Sequence, residues 1–243
     1  MRNPVSFTPD RLTELVTPIK SGNVFEETVE KILSLISAGL VPPEGKLPSE
    51  RELTEILGVS RSAVREAINE LQKTGCIEVR RGRYGGAFVL PAKTVSLDEK
   101  KMKADEVEDL LRYREVLESA IAQEAALQSL TSEQRAGLLA RLKDVNEAPE
   151  SLYRFYDSRF HLYLAQLTGV SRLAKSVVEM RATLNECLDT FPLLEANIAH
   201  SQEQHTAIAQ AIMAGDASGA ERCMRDHVQG TASLIRGFYG RDA

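Results

Sequence analysis

The run Ser49-Glu50-Arg51-Glu52 sets the start of a helix. A Ser at the cap and a Glu three residues later satisfy two free backbone N–H groups reciprocally. The helix this opens is short, because Gly58 stops it after Leu57 and Val59 turns the chain. Ser60 is a good cap for a second helix over 61–74, and Gly75 ends that one. Two helices joined by a tight Gly-containing turn are the outline of a helix-turn-helix. A helix over 24–38 precedes them, with Phe25, Thr28, Ile32, Leu35 and Ile36 near one face, closed by Gly39 and Pro42-Pro43. After them, Ile77-Glu78-Val79-Arg80 alternates like a strand, Gly82 to Gly86 reads as a turn, and Ala87-Phe88-Val89-Leu90 is the return strand. A hairpin in that place is a wing.

The rest of the chain divides around this core of signals. Residues 1–20 are polar, carry Pro4, Pro9 and Pro18, and are expected to form a mobile arm; 21–91 form the winged helix-turn-helix and 92–103 a polar linker. From 104 to 240 helical periodicity dominates, predicting helices at 104–129, 132–146, 150–168, 171–190, 193–214 and 217–238. The expected fold is mainly α: a winged helix-turn-helix with a small β-hairpin, followed by an all-α antiparallel bundle.

Net charge is -5, which at first argues against a nucleic-acid partner. Its distribution matters more. Residues 1–95 hold 13 Lys and Arg against 12 Asp and Glu, and the acidic excess lies beyond them. Arg80-Arg81-Gly82-Arg83 forms a local basic tip, and DNA binding needs a basic face rather than a basic whole. No apolar run approaches the roughly 18 residues of a membrane span, and the N-terminus lacks a signal-peptide core, so a cytoplasmic location is expected. Cys76, Cys187 and Cys223 are far apart and read as free thiols.

A recognition helix puts its first residues against base edges in the major groove. Here it opens Ser60-Arg61-Ser62-Ala63-Val64-Arg65. Arg61 and Arg65 are four apart, on one face, and Arg bonds guanine O6 and N7 in bidentate fashion. Ser60 and Ser62 are short donors suited to phosphates or base edges. In the helical half, Asp157 and His161 project from one face of a helix, while His205 and His227 lie on two others. Facing helices can build a metal site from such groups, and one carboxylate with three imidazoles suits Zn, Ni, Mn or Fe. Spacing alone leaves the alternative that these are ordinary core or surface histidines.

Residues 47–71, LPSERELTEILGVSRSAVREAINEL, closely resemble the GntR-family signature, and IEVRRGRYGGAFV at 77–89 is similar to that family's wing. The resemblance implies that Arg51 reaches DNA, that Arg61 and Arg65 read bases, that Ser60 and Ser62 meet phosphates, and that Arg81 and Gly82 form the tip entering the minor groove. Tyr156 to His161, Glu203-Gln204-His205 and the segment from Gly215 to Val228 resemble the FCD effector domain of the FadR-like subfamily over 105–238. By that resemblance Asp157, His161, His205 and His227 match all four ligand positions of the metal-binding FCD branch, and His200 matches none. Val170 stands where the family often has Asn, a position that is not a ligand.

Arg114, in Arg114-Glu115-Val116-Leu117-Glu118, resembles an inward arginine that clamps an effector carboxylate, with an Arg114–Glu118 ion pair as the alternative. Arg181 and Asn185, also four apart, are expected to line the same cavity. The implied protein is no enzyme. It is a homodimeric repressor on a palindromic operator, released by a small carboxylate at a divalent metal, with Zn as the first expectation. The rival readings are a C-terminal domain that only dimerises and a metal-dependent hydrolase.

Overall fold

The computed structural model describes Ile19, Val41 and residues 22–37, 44–82, 85–90, 102–188 and 191–242. They form two compact units, one of residues 1–97 with 233–243, the other of 98–232.

The first unit opens with α1 (Val24–Ser37), followed by α2 (Glu50–Leu57) and α3 (Arg61–Lys73). The signals that set them are present as atoms. The Glu52 N–H donates to Ser49 Oγ at 3.3 Å, and the Ser49 N–H donates to the Glu52 carboxylate at 2.7 Å. Gly58 ends α2 at φ 70°, a left-handed conformation that lets its N–H reach the Thr54 carbonyl. Ser60 caps α3 by accepting from the Ala63 N–H. Leu53, Ile56 and Leu57 of α2 and Val64, Ala67, Ile68 and Leu71 of α3 are buried with Val29, Ile32 and Leu33 of α1. This apolar filling sets the helix-turn-helix geometry, and burying each large side chain contributes about 1.5–3 kcal/mol.

The wing is β1 (Ile77–Arg80) paired antiparallel with β2 (Gly86–Val89), Ile77 opposite Val89 and Arg80 opposite Gly86. A third segment joins it. Leu47 donates its N–H to the Ala87 carbonyl, Val89 donates to the Gly45 carbonyl, and Lys46 bridges Phe88. The sequence reading had no strand there, because a single bridge leaves too little alternation to see.

The expected arm at 1–20 lies outside the described residues apart from Ile19. That residue is no part of a loose arm: it is buried and its N–H donates to the Leu57 carbonyl at 3.0 Å. The expected linker lies outside them too, except for Met102 and Lys103.

The second unit is helical: α4 (Ala104–Leu127), α5 (Ser132–Asn146), α6 (Tyr153–Leu167), α7 (Ser171–Leu188), α8 (Glu195–Ala214) and α9 (Ala217–Asp242) as far as Ala232. The helix expected over 150–168 begins as a 3-10 turn, Glu150–Leu152, before α6 takes over at Tyr153. Pro149 before that turn supplies no N–H, and Leu152 sits at φ -118°, ψ 4° between the two geometries.

The helical domain read from sequence ran to 240, whereas the compact grouping places Ser233 onward with the first unit. Within that unit α9 meets α1 closely: a Cβ at Gly237 would lie 2.9 Å from the Glu30 Cα. Among the described residues no helix is long and apolar enough to cross a membrane. Cys76, Cys187 and Cys223 are free thiols.

Replacing Ser49 with Ala removes one side of the reciprocal cap. Ser49→Ala is expected to lower stability by about 1 kcal/mol in urea unfolding followed by helix signal, and an unchanged midpoint would contradict the capping account.

Candidate nucleic-acid interface and metal centre

The polar residues singled out on the first unit are all at its surface. Arg51, Ser60, Arg61, Ser62, Arg65, Arg81 and Gly82 are exposed. Arg65 donates from Nη2 to Glu50 at 3.0 Å, bracing the start of α2 against α3. Arg51 pairs with Glu55 one turn on. Arg80 is engaged within the wing by Glu78 and by the Phe88 ring, its guanidinium 4.4 Å from the ring centre. Arg61 is exposed and has no carboxylate partner among the described residues. Gly82 takes φ 105°, which a side chain would strain, and so permits the sharp wing turn.

The second unit hides its polar groups. Asp157 and His161 come from α6, His205 from α8 and His227 from α9, and one ligating atom from each lies within 4.8 Å of the others. The three imidazoles are buried and Asp157 nearly so. His205 Nε2 is 3.2 Å from Asp157 Oδ1 and 3.2 Å from His227 Nε2, and His161 Nε2 is 3.7 Å from the same Oδ1. Every ring therefore turns its Nε2 inward. His227 has Nδ1 3.1 Å from the side-chain oxygen of Gln204. Neither nitrogen of His161, nor Nδ1 of His205, completes a hydrogen bond among the described residues. Buried ring nitrogens without partners are costly unless something else binds them. Three inward Nε2 atoms and one carboxylate are a donor set that fits a divalent transition metal. His200 is half-buried on α8, outside this cluster.

Around the four lies a layer of buried charge. Glu118 of α4 accepts from Arg114 Nε at 2.9 Å, from Arg181 Nε at 2.8 Å and from Arg181 Nη2 at 3.1 Å. The third nitrogen of Arg181, Nη1, donates to Asp157 Oδ2. The i, i+4 pair of Arg114 with Glu118, one of the two sequence alternatives, is thus present, and Arg114 Nη1 is buried with no hydrogen-bond partner among the described residues. Asn185 Nδ2 donates to Ser158 at 3.0 Å, and its Oδ1 has no hydrogen-bond partner among the described residues.

Burial alone would raise the carboxyl groups of Asp157 and Glu118, yet Arg181 beside them, helped by His161, holds both well below the usual range. Burial, reinforced by Arg181, pushes His161 down to about 4; burial, reinforced by the neighbouring imidazoles, also lowers His227. Those two rings are neutral at pH 7, the state that can donate a lone pair. Sequence reasoning missed Glu118 and Gln204 as parts of this centre. The only available signals were the Arg114–Glu118 spacing and the position of Gln204 directly before His205.

With this geometry in view, comparison with known proteins is decisive. Residues 25–89 match the model for bacterial regulatory proteins of the gntR family, and 109–230 match the FCD domain. The chain belongs to the GntR family, in its FCD-containing branch. It is 30% identical over 229 residues to the HTH-type transcriptional regulator Mce2R of Mycobacterium tuberculosis, covering 86% of this chain and 90% of that one. It is 29% identical over 215 residues to the HTH-type transcriptional regulator LutR of Bacillus subtilis, covering 84% and 98%. Among solved structures, E. coli McbR/YncC aligns at a TM-score of 0.51 and 21% identity, covering 91% of this chain and 100% of that one, a likeness of fold. This GntR-family protein is a DNA-binding transcriptional regulator and no enzyme.

The buried rings set a pH dependence. Because His161 and His227 titrate lower when folded, protons bind the unfolded chain first as the pH falls below about 6.5. Metal-free protein is therefore expected to lose stability from pH 6.5 toward 4, and His161→Gln to flatten that slope. Urea unfolding of chelator-treated protein across this range checks it, and a slope identical in the variant would contradict it.

Proposed function

We propose that this GntR-family regulator is a homodimeric repressor whose helical unit holds a divalent metal and a small carboxylate effector. The observation that carries the metal is the convergence of three Nε2 atoms and Asp157 Oδ1, with the buried Nε2 of His161 left without a hydrogen-bond partner among the described residues. Asp157, His161, His205 and His227 would be the ligands. Zn is the favoured ion, with Ni, Mn or Fe as alternatives. When bound, such an ion supplies two positive charges and positions open to a further oxygen ligand.

The protein side of effector binding follows from the guanidiniums. Arg114 has a buried Nη1 with no hydrogen-bond partner among the described residues, a donor suited to a carboxylate oxygen. Arg181 is engaged by Glu118 and Asp157 on all three nitrogens, so its part is to hold charge in place at the edge of the site. Asn185 Oδ1 is an acceptor for a hydroxyl on the same ligand. An effector acts only by binding one arrangement of the DNA-binding units better than another.

On DNA, Arg61 and Arg65 would reach base edges from the start of α3, Ser60 and Ser62 would meet phosphates, Arg51 would reach DNA from α2, and Arg81 with Gly82 would enter the minor groove. Arg61 is the best base reader of the two helix arginines, since among the described residues it has no carboxylate partner whereas Arg65 pairs with Glu50. A two-fold dimer suits a palindromic operator with half-sites about one helical turn apart. A cytoplasmic location goes with this reading.

Arg61→Ala is expected to cost about 1–3 kcal/mol of operator binding and to relax specificity at one base pair. An equal loss on unrelated DNA would mark Arg61 as a phosphate contact instead. Gel shifts with a panel of small carboxylates, with and without prior chelation, test the sensing role. Release of operator by one of them, lost on chelation, is the expected result; operator affinity indifferent to every acid and to chelation would refute it.

A further inference from the structure

Glu118 is fully buried and its carboxylate has four neighbours. Oε2 accepts from Arg114 Nε and Arg181 Nη2, and Oε1 accepts from Arg181 Nε. The fourth neighbour is His161 Nδ1, 3.1 Å from Oε1. A carboxylate held by two guanidiniums carries no proton to give. Glu118 Oε1 is the nearer anionic oxygen to this ring, 3.1 Å from Nδ1 against 3.7 Å between Nε2 and Asp157 Oδ1, which favours hydrogen on Nδ1 and a lone pair on Nε2, with the Nδ1 contact short of full hydrogen-bond alignment. That Nε2 is the atom turned toward Asp157 Oδ1.

The same guanidinium that grips Glu118 side-on reaches Asp157 with its remaining nitrogen. It takes Oδ2 and leaves Oδ1 to the histidines, two of whose Nε2 atoms lie 3.2 and 3.7 Å from it. Two of the four candidate ligands are thus oriented from one carboxylate: His161 directly, and Asp157 through Arg181.

We infer that Glu118 is the positioning residue of the centre, fixing the Nδ1–H tautomer of His161 and, through Arg181, which oxygen Asp157 presents. The inference rests on the metal reading above for its consequence, but not for its geometry. Outer carboxylates that take the second N–H of a ligating histidine raise its basicity and hold its plane, and their loss typically weakens metal binding 10–100-fold. The residue sits on α4, far in sequence from every ligand.

The test has two arms. In chelator-treated wild-type protein labelled with 15N-histidine, long-range 1H–15N correlation identifies which nitrogen of His161 carries the proton. The expected answer is Nδ1; a proton on Nε2 overturns the inference. In the second arm, zinc affinity is measured by competition with a chromophoric chelator for wild type and Glu118→Gln. The expected result is a 10–100-fold weaker affinity in the variant, with the helical spectrum retained; equal affinity overturns the inference. If wild type takes up no zinc, the metal reading fails, and the tautomer of His161 still decides the role of Glu118. If Glu118→Gln does not fold, the tautomer decides it likewise.

Discussion

The helical unit is organised around a desolvated chain of charge, Arg114–Glu118–Arg181–Asp157, with each carboxylate held by a guanidinium. Removing these four groups from water costs several kcal/mol per ion, and only close pairing with nearly every lone pair engaged offsets it. Such an arrangement is poor value as a source of stability, since apolar residues of similar volume usually do as well. Its distinctive effect is orientation. Asp157 cannot turn without releasing Arg181, and Arg181 cannot move without stripping Glu118 of two hydrogen bonds. Three imidazoles are packed against this fixed frame, and those of His161 and His227 stay neutral at pH 7 and contribute donors without adding charge.

The DNA-binding unit solves a different problem. It must show polar side chains to solvent in a fixed pattern, and it does so with local devices. The Ser49–Glu52 cap, the left-handed Gly58 and the Ser60 cap determine where α2 stops and α3 begins. The apolar face of α3 then determines which residues point outward. Arg65 spends its guanidinium on Glu50, and Arg80 on Glu78 and Phe88, so the surface is partly pre-set rather than loose. Arg61 stands apart from these pairings at the exposed start of the helix.

This contrast explains what could be read from the chain in advance. Caps, glycine stops and periodicity are short-range, so the helix-turn-helix, the hairpin and the six later helices were all legible to within a few residues. Asp157 and His161 were legible as a pair because four residues is one helical turn. That His205 and His227 join them is a fact of packing between helices, which spacing alone leaves open and family resemblance alone supplied. Glu118 was visible only as a neighbour of Arg114. Its contacts with Arg181 and His161 span 63 and 43 positions of chain, and nothing local announces them. Ile19 and the Gly45–Leu47 segment escaped for the opposite reason: each makes too few regular backbone bonds to leave a pattern.

The central claim is that the convergent Nε2 atoms and Asp157 form a resident metal centre. The measurement that bears on it most directly is anomalous X-ray scattering from crystals of protein as purified, collected on both sides of the zinc, iron, nickel and manganese edges. The account predicts one peak per chain among His161, His205, His227 and Asp157 Oδ1. A peak elsewhere, or full occupancy of that space by water in protein never exposed to chelator, would contradict it.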